Sequence, residues 1–81
     1  MSFYVIDCFI NNCNECNDCN DTVALYINND IESSTIKEPT NSCAYIFDVV
    51  KLYPNDKMTI RYVKNGEIIS ENNYKLKVYK L

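Results

Sequence analysis

Residues 58–81 read MTIRYVKNGEIISENNYKLKVYKL, and this stretch carries the clearest architectural signal in the chain. Asn65-Gly66 is the strongest two-residue hairpin signature, because a type I′ turn needs two residues that tolerate positive φ. A turn there sets Lys64 against Glu67, Val63 against Ile68, Tyr62 against Ile69 and Arg61 against Ser70. Lys64 against Glu67 is favourable directly across two strands. A second two-residue turn at Asn72-Asn73 sets Glu71 against Tyr74 and Ile69 against Leu76. Ile60, Tyr62, Ile69, Tyr74, Leu76 and Val78 then share one face, with Lys75 and Lys77 on the other. Register and hydrophobic pattern agree across three strands, as a half-buried antiparallel sheet requires. The expectation for 58–81 is a three-stranded meander.

Upstream, Ser2–Ile10 reads SFYVIDCFI. Tyr4, Ile6, Cys8 and Ile10 fall on one face, and Phe3, Val5, Asp7 and Phe9 on the other. Both faces are mostly apolar, which fits a central or doubly covered strand. Thr22–Ile27 alternates Val23, Leu25 and Ile27 against Ala24 and Tyr26, a second strand. Residues 28–42 are polar and punctuated by Pro39, and read as a long loop with a short extended piece at Thr35-Ile36. Cys43–Tyr53 is two-sided. Cys43, Ile46, Phe47 and Val50 have helical spacing behind a capping Ser42, yet the β-branched and aromatic content favours a strand. Pro54-Asn55-Asp56 marks a turn.

The fold class expected is therefore mainly β. One domain spans residues 1–81, as a small antiparallel sheet or partly open barrel of five to six strands ending in the meander. A short helix at 43–53 is the alternative to a strand there. A single Gly and two Pro serve the whole chain. Tight turns must then rest on Asn and Asp, the non-Gly residues that best tolerate left-handed backbone. Seven Tyr and three Phe supply apolar bulk. A chain this short is marginal without a disulfide, a metal or a partner.

Residues 11–21 form an Asn/Asp-rich loop holding three of the five cysteines, Cys13, Cys16 and Cys19, spaced C-x2-C-x2-C. Such spacing lets thiolates converge on one ion. Cys43 or Cys8 is the candidate fourth zinc ligand. The same triplet with a remote cysteine resembles the single-cluster ferredoxin pattern and implies an iron–sulfur site. Here no Pro follows Cys43, and acidic residues stand where a cluster loop is usually apolar. An iron–sulfur cluster is therefore ranked below zinc. A disulfide or free thiols, with no metal, is the remaining reading and is ranked ahead of zinc; Cys8 and Cys43 are then core residues, since buried Cys behaves as a small hydrophobe. An EF-hand fails: counted from Asp18, its Gly position is Val23 and its Glu position Asn29.

Charge is divided along the chain. Residues 1–50 hold eight acids and one lysine, net −7; residues 51–81 hold seven bases and three acids, net +4. The acidic whole does not suit nucleic acid. No apolar run is long enough to span a bilayer. No basic n-region follows Met1-Ser2, so a cytoplasmic location is expected, in the host cell if the protein is viral or phage-derived. With no His in the chain and Gly66 the lone glycine, the groups for acid–base or phosphate chemistry are missing, and an enzyme is not expected. The expected function is a small non-catalytic protein that docks on a larger protein, of the kind phages, viruses and mobile elements use as inhibitors. Alternatives are a zinc-stabilised recognition domain and an iron–sulfur or thiol redox protein. Interface candidates are Val63, Ile68, Arg61 and Tyr79, and a homodimer is a further expectation.

Overall fold

The computed structural model describes residues 1–11 and 22–81. Six strands are formed among the described residues: β1 (Ser2–Ile10), β2 (Val23–Ile27), β3 (Asp30–Ile31), β4 (Ala44–Leu52), β5 (Met58–Tyr62) and β6 (Tyr74–Lys80). They make two three-stranded antiparallel sheets, in orders β4-β1-β6 and β3-β2-β5. No α-helix occurs among the described residues.

β1 is the central strand of the first sheet, in keeping with its doubly apolar sequence. Its Ile6, Cys8 and Ile10 are fully buried. They join Ala44, Ile46, Val50 and Leu52 of β4 in one core with Val23, Leu25, Ile60, Tyr62 and Ile69 from the other side. The two sheets thus form a two-layer domain around a single apolar interior. Residues 43–53 settle as strand, and the alternative helix does not form. Alternation along β4 breaks only at Asp48, whose carboxylate is held by the Ser34 hydroxyl at 2.5 Å and by the Val49 amide at 2.8 Å.

The segment expected as a polar loop over 28–42 is paired in part, at β3 and at the Lys37 and Thr40 bridges. Asn28 and Asn29, both at positive φ, turn β2 into β3. Asn41 and Ser42, again both positive, close a second two-residue turn between Thr40 and Cys43. Ser42 is therefore a turn residue rather than a helix cap. Asn55 has φ 71° after Pro54, as a type II turn requires. Asparagine does substitute for glycine in this chain, as its composition implied.

Between those turns a single 3-10 turn, Ser33–Thr35, bulges from the ladder. Glu32 N–H donates to Leu25 O, but the return bond is replaced. Leu25 N–H donates to the Thr35 hydroxyl at 2.9 Å, and that hydroxyl donates to Glu32 O at 2.6 Å. One side chain is thus inserted into a backbone hydrogen bond, which explains why Thr35 is a fully buried polar residue. The ladder resumes where Val23 and Lys37 exchange both bonds.

The C-terminal meander is corrected in two respects. The 65–66 hairpin is not a two-residue turn. Tyr62 N–H donates to Glu67 O, Gly66 N–H donates to Tyr62 O, and Ile68 lies opposite Arg61 rather than Val63. Residues 63–66 form a four-residue loop, with only Gly66 left-handed among them. A register shift of two leaves every side chain on its expected face, so Ile60, Tyr62 and Ile69 are still buried. The second correction is topological. Residues 71–73 form a 3-10 turn, and β6 does not pair with 67–71. It crosses to β1, setting Asp7 against Lys77 and Ile6 against Val78. A central strand as long as β1 gives β6 a seven-residue ladder, against the single bridge that Ile68 makes.

Candidate docking face

Alternation along β1, β4 and β6 puts a second set of side chains on the outer face of the β4-β1-β6 sheet. Register aligns them in rows: Tyr45–Phe9–Lys75, Phe47–Asp7–Lys77, Val49–Val5–Tyr79, and Lys51 beside Phe3. In a soluble antiparallel sheet this face is ordinarily polar. Here Phe3, Phe9, Tyr45, Phe47, Val49 and Tyr79 are all exposed, Phe47 by 60%. Tyr45 and Phe47 stack with ring centroids 6.4 Å apart and planes 7° from parallel. The rings are therefore held as a platform rather than free to turn inward.

Asp7 is the only acid among these rows. The Tyr45 hydroxyl donates to its carboxylate at 2.6 Å. That bond, foremost, pushes the Tyr45 phenol above its ordinary value of 10.0. Lys75, Lys77 and Lys51 border the aromatic centre on the β6 side and at one end. The Lys51 ammonium also sits 5.7 Å from the Tyr53 ring. A face with a ring-bearing centre and a basic border can bury apolar area while pairing charges at its margin, the usual division of a protein interface.

Of the four interface residues expected from sequence, Tyr79 belongs to this face. The other three lie on the opposite sheet. Arg61 is engaged internally, its guanidinium 5.1 Å from the Tyr26 ring and donating to Asn29 at 2.5 Å. Val63 N–H donates to Thr22 O. Ile68 is exposed by 59%, but apart from the aromatic rows. Phe3, Phe9, Tyr45, Phe47 and Val49 were not singled out by sequence. Their signal was the double apolarity of Ser2–Ile10 and the odd positions 45, 47 and 49, of which Phe47 also entered the false helical spacing of Cys43, Ile46, Phe47 and Val50.

Cys13, Cys16 and Cys19 lie outside the described residues. The two candidate fourth ligands are in contrasting places. Cys8 is 0% exposed among Ile6, Ile10, Ile46 and Leu76, and burial, aided by Asp7, pushes its thiol up to about 11. A metal ligand must give up that proton. Cys43 is half-buried, one residue before Ala44, which pairs with Ile10 at the end of β1. Among the described residues no group of three or more Cys, Asp or Glu is placed to hold a metal.

No helix of the described residues is long and apolar enough to cross a membrane. No protein-family model matches the chain, and neither a curated protein nor a solved structure shows detectable similarity to it.

Proposed function

We propose that this protein is a non-catalytic binding module that docks on a larger protein partner through the outer face of the β4-β1-β6 sheet. The observation that carries the proposal is the exposure of six large apolar side chains on one sheet face, three of them from the single strand β4. Three strands about 4.8 Å apart, two of nine residues and one of seven, cover a footprint of roughly 400 Å². This footprint holds the rings together with Asp7 and the bordering lysines, and exposed apolar surface grouped in this way often marks a binding site. The footprint is about half of what one partner contributes to a standard interface, roughly 800 Å². The partner then extends past the rings onto the lysine border, as a larger protein can. An inhibitor from a mobile element fits the small size and the lack of histidine, and inhibition by occlusion needs only this face. The test is retrieval from the cells of origin with the wild-type chain and with a Phe9→Ser/Phe47→Ser variant. A partner held by the first and lost by the second is expected. Equal retrieval by both removes the proposal.

A zinc-stabilised recognition domain is the second reading, favoured by the position of Cys43. It stands at the strand end from which the C-x2-C-x2-C segment departs, half-buried, whereas Cys8 is sealed in the core. Metal analysis of protein purified without chelator should then give about one zinc per chain. Cys43→Ala should lose it and Cys8→Ala should keep it. Metal-free wild-type protein ends this reading, and a coloured protein would point to an iron–sulfur cluster instead.

A further inference from the structure

We propose that the free edge of β6 takes up an extended acidic segment of a protein partner by strand addition. This goes beyond docking on the aromatic face: it uses the outward backbone groups of β6, which that face does not, and shares with it Lys75 and Lys77 of the basic border. Among the described residues β6 has one ladder neighbour, β1. The bonds at the two ends of that ladder fix which amides are used. Asn11 N–H donates to Asn73 O at 2.6 Å and Leu81 N–H donates to Phe3 O at 2.9 Å. Antiparallel pairs alternate between bonded and non-bonded. Lys75, Lys77 and Tyr79 therefore turn their amides toward β1. Leu76, Val78 and Lys80 turn theirs outward, along an edge seven residues long.

The other edge of this sheet is guarded differently. At the centre of β4, Asp48 accepts from the Val49 amide, and the Ser34 hydroxyl bonds the same carboxylate. A side chain therefore already occupies an edge amide there, and the charge is negative. β6 carries Lys75, Lys77 and Lys80, all exposed, with Val78 39% exposed on the opposite face from Lys75 and Lys77. Edge lysines guard against self-pairing, since a second copy aligned on Lys77 would set ammonium against ammonium. The same charges favour an incoming strand with carboxylates opposite them, because opposite charges directly across a ladder attract. Backbone bonds supply the attachment and the lysines select the sequence, as in other strand-addition complexes.

The experiment is amide exchange by NMR on the full chain. The probe is the synthetic peptide Glu-Val-Glu-Thr-Glu-Val-Glu, with a twin carrying Lys at every Glu position. At about 1 mM the acidic peptide should slow exchange at Leu76, Val78 and Lys80 about tenfold. The effect should shrink with added salt and vanish in Lys75→Glu/Lys77→Glu, whose exposed positions leave the core untouched. Equal slowing by the lysine twin overturns the proposal, as does no slowing with either peptide. Slowing that grows with the concentration of the chain alone would assign the edge to a second copy, and also overturns it. Perturbation at Phe9, Tyr45 and Phe47 without protection at Leu76, Val78 and Lys80 rejects the edge while leaving the aromatic face as docking surface.

Discussion

Thr35 shows how one hydroxyl can hold a sheet together where the backbone departs from it. Its oxygen stands between Leu25 N–H and Glu32 O, receiving from the first and donating to the second. Thr35→Val keeps the shape and removes both bonds. The Leu25 amide is then buried without a partner, which costs about 1–3 kcal/mol. Chemical denaturation should show a loss of that size, and Thr35→Ser should lose much less. Cys8 is the second residue whose burial has a measurable consequence. Its folded thiol is pushed from 9.0 up to about 11, so the native state keeps a proton that the unfolded chain releases. Its contribution is complete below pH 9 and is lost as pH rises toward 11. Cys8→Ala should lower stability at neutral pH by about 1–2 kcal/mol for the space it leaves. The variant should also lack this part of the alkaline decline. A wild-type and variant pair with parallel stability curves between pH 9 and 11 would refute the assignment.

At the scale of elements, the loop at 63–66 separates what the sequence states locally from what the fold decides. A type I′ turn at Asn65-Gly66 would need positive φ at both residues, yet only Gly66 has it. Nothing lies within 4 Å of where a Gly66 Cβ would stand, so its φ of 62° is the sole constraint. Gly66→Ala should cost about 1–2 kcal/mol, while Asn65→Ala should stay within about 0.5 kcal/mol. Comparable losses at both positions, measured by thermal unfolding, would restore the two-residue turn. Strand positions were legible in sequence because alternation is local: Ser2–Ile10 is β1 as read, and Ala44–Leu52 lies within the segment read as strand. Strand partners were not. Tyr74, Leu76 and Val78 present the same apolar face to either sheet, so adjacency in sequence favoured 67–71. The ladder along β1 is longer and wins. The inserted Thr35 and the Lys37 bridge were missed for a related reason, since their partners on β2, Leu25 and Val23, lie ten and fourteen residues away.

For the whole molecule, the consequence of sending β6 to β1 is a three-stranded sheet with an aromatic outer face. In the expected meander Lys75 and Lys77 lie across from Ser70 and Ile68; in the fold they border Phe9 and Asp7. The division of charge along the chain, acidic before residue 51 and basic after it, becomes a basic border on an otherwise acidic protein. Sequence indicated a docking protein from size and from missing catalytic groups, but it placed the contact on Val63, Ile68 and Arg61 as well as Tyr79. Double apolarity in β1 fits a central or a doubly covered strand; β1 is the central one, and its Phe3 and Phe9 are exposed. Phe47 and Ile68 make the comparison direct, since they are 60% and 59% exposed on opposite sheets. Serine at either position removes one exposed apolar side chain without opening the core, so both variants should fold. The deciding measurement is the affinity of the retrieved partner for Phe47→Ser and for Ile68→Ser, by titration calorimetry against wild type. Phe47→Ser should weaken binding by about 2 kcal/mol or more, some thirtyfold, with Ile68→Ser near wild type. Loss with Ile68→Ser and full affinity with Phe47→Ser would contradict the account.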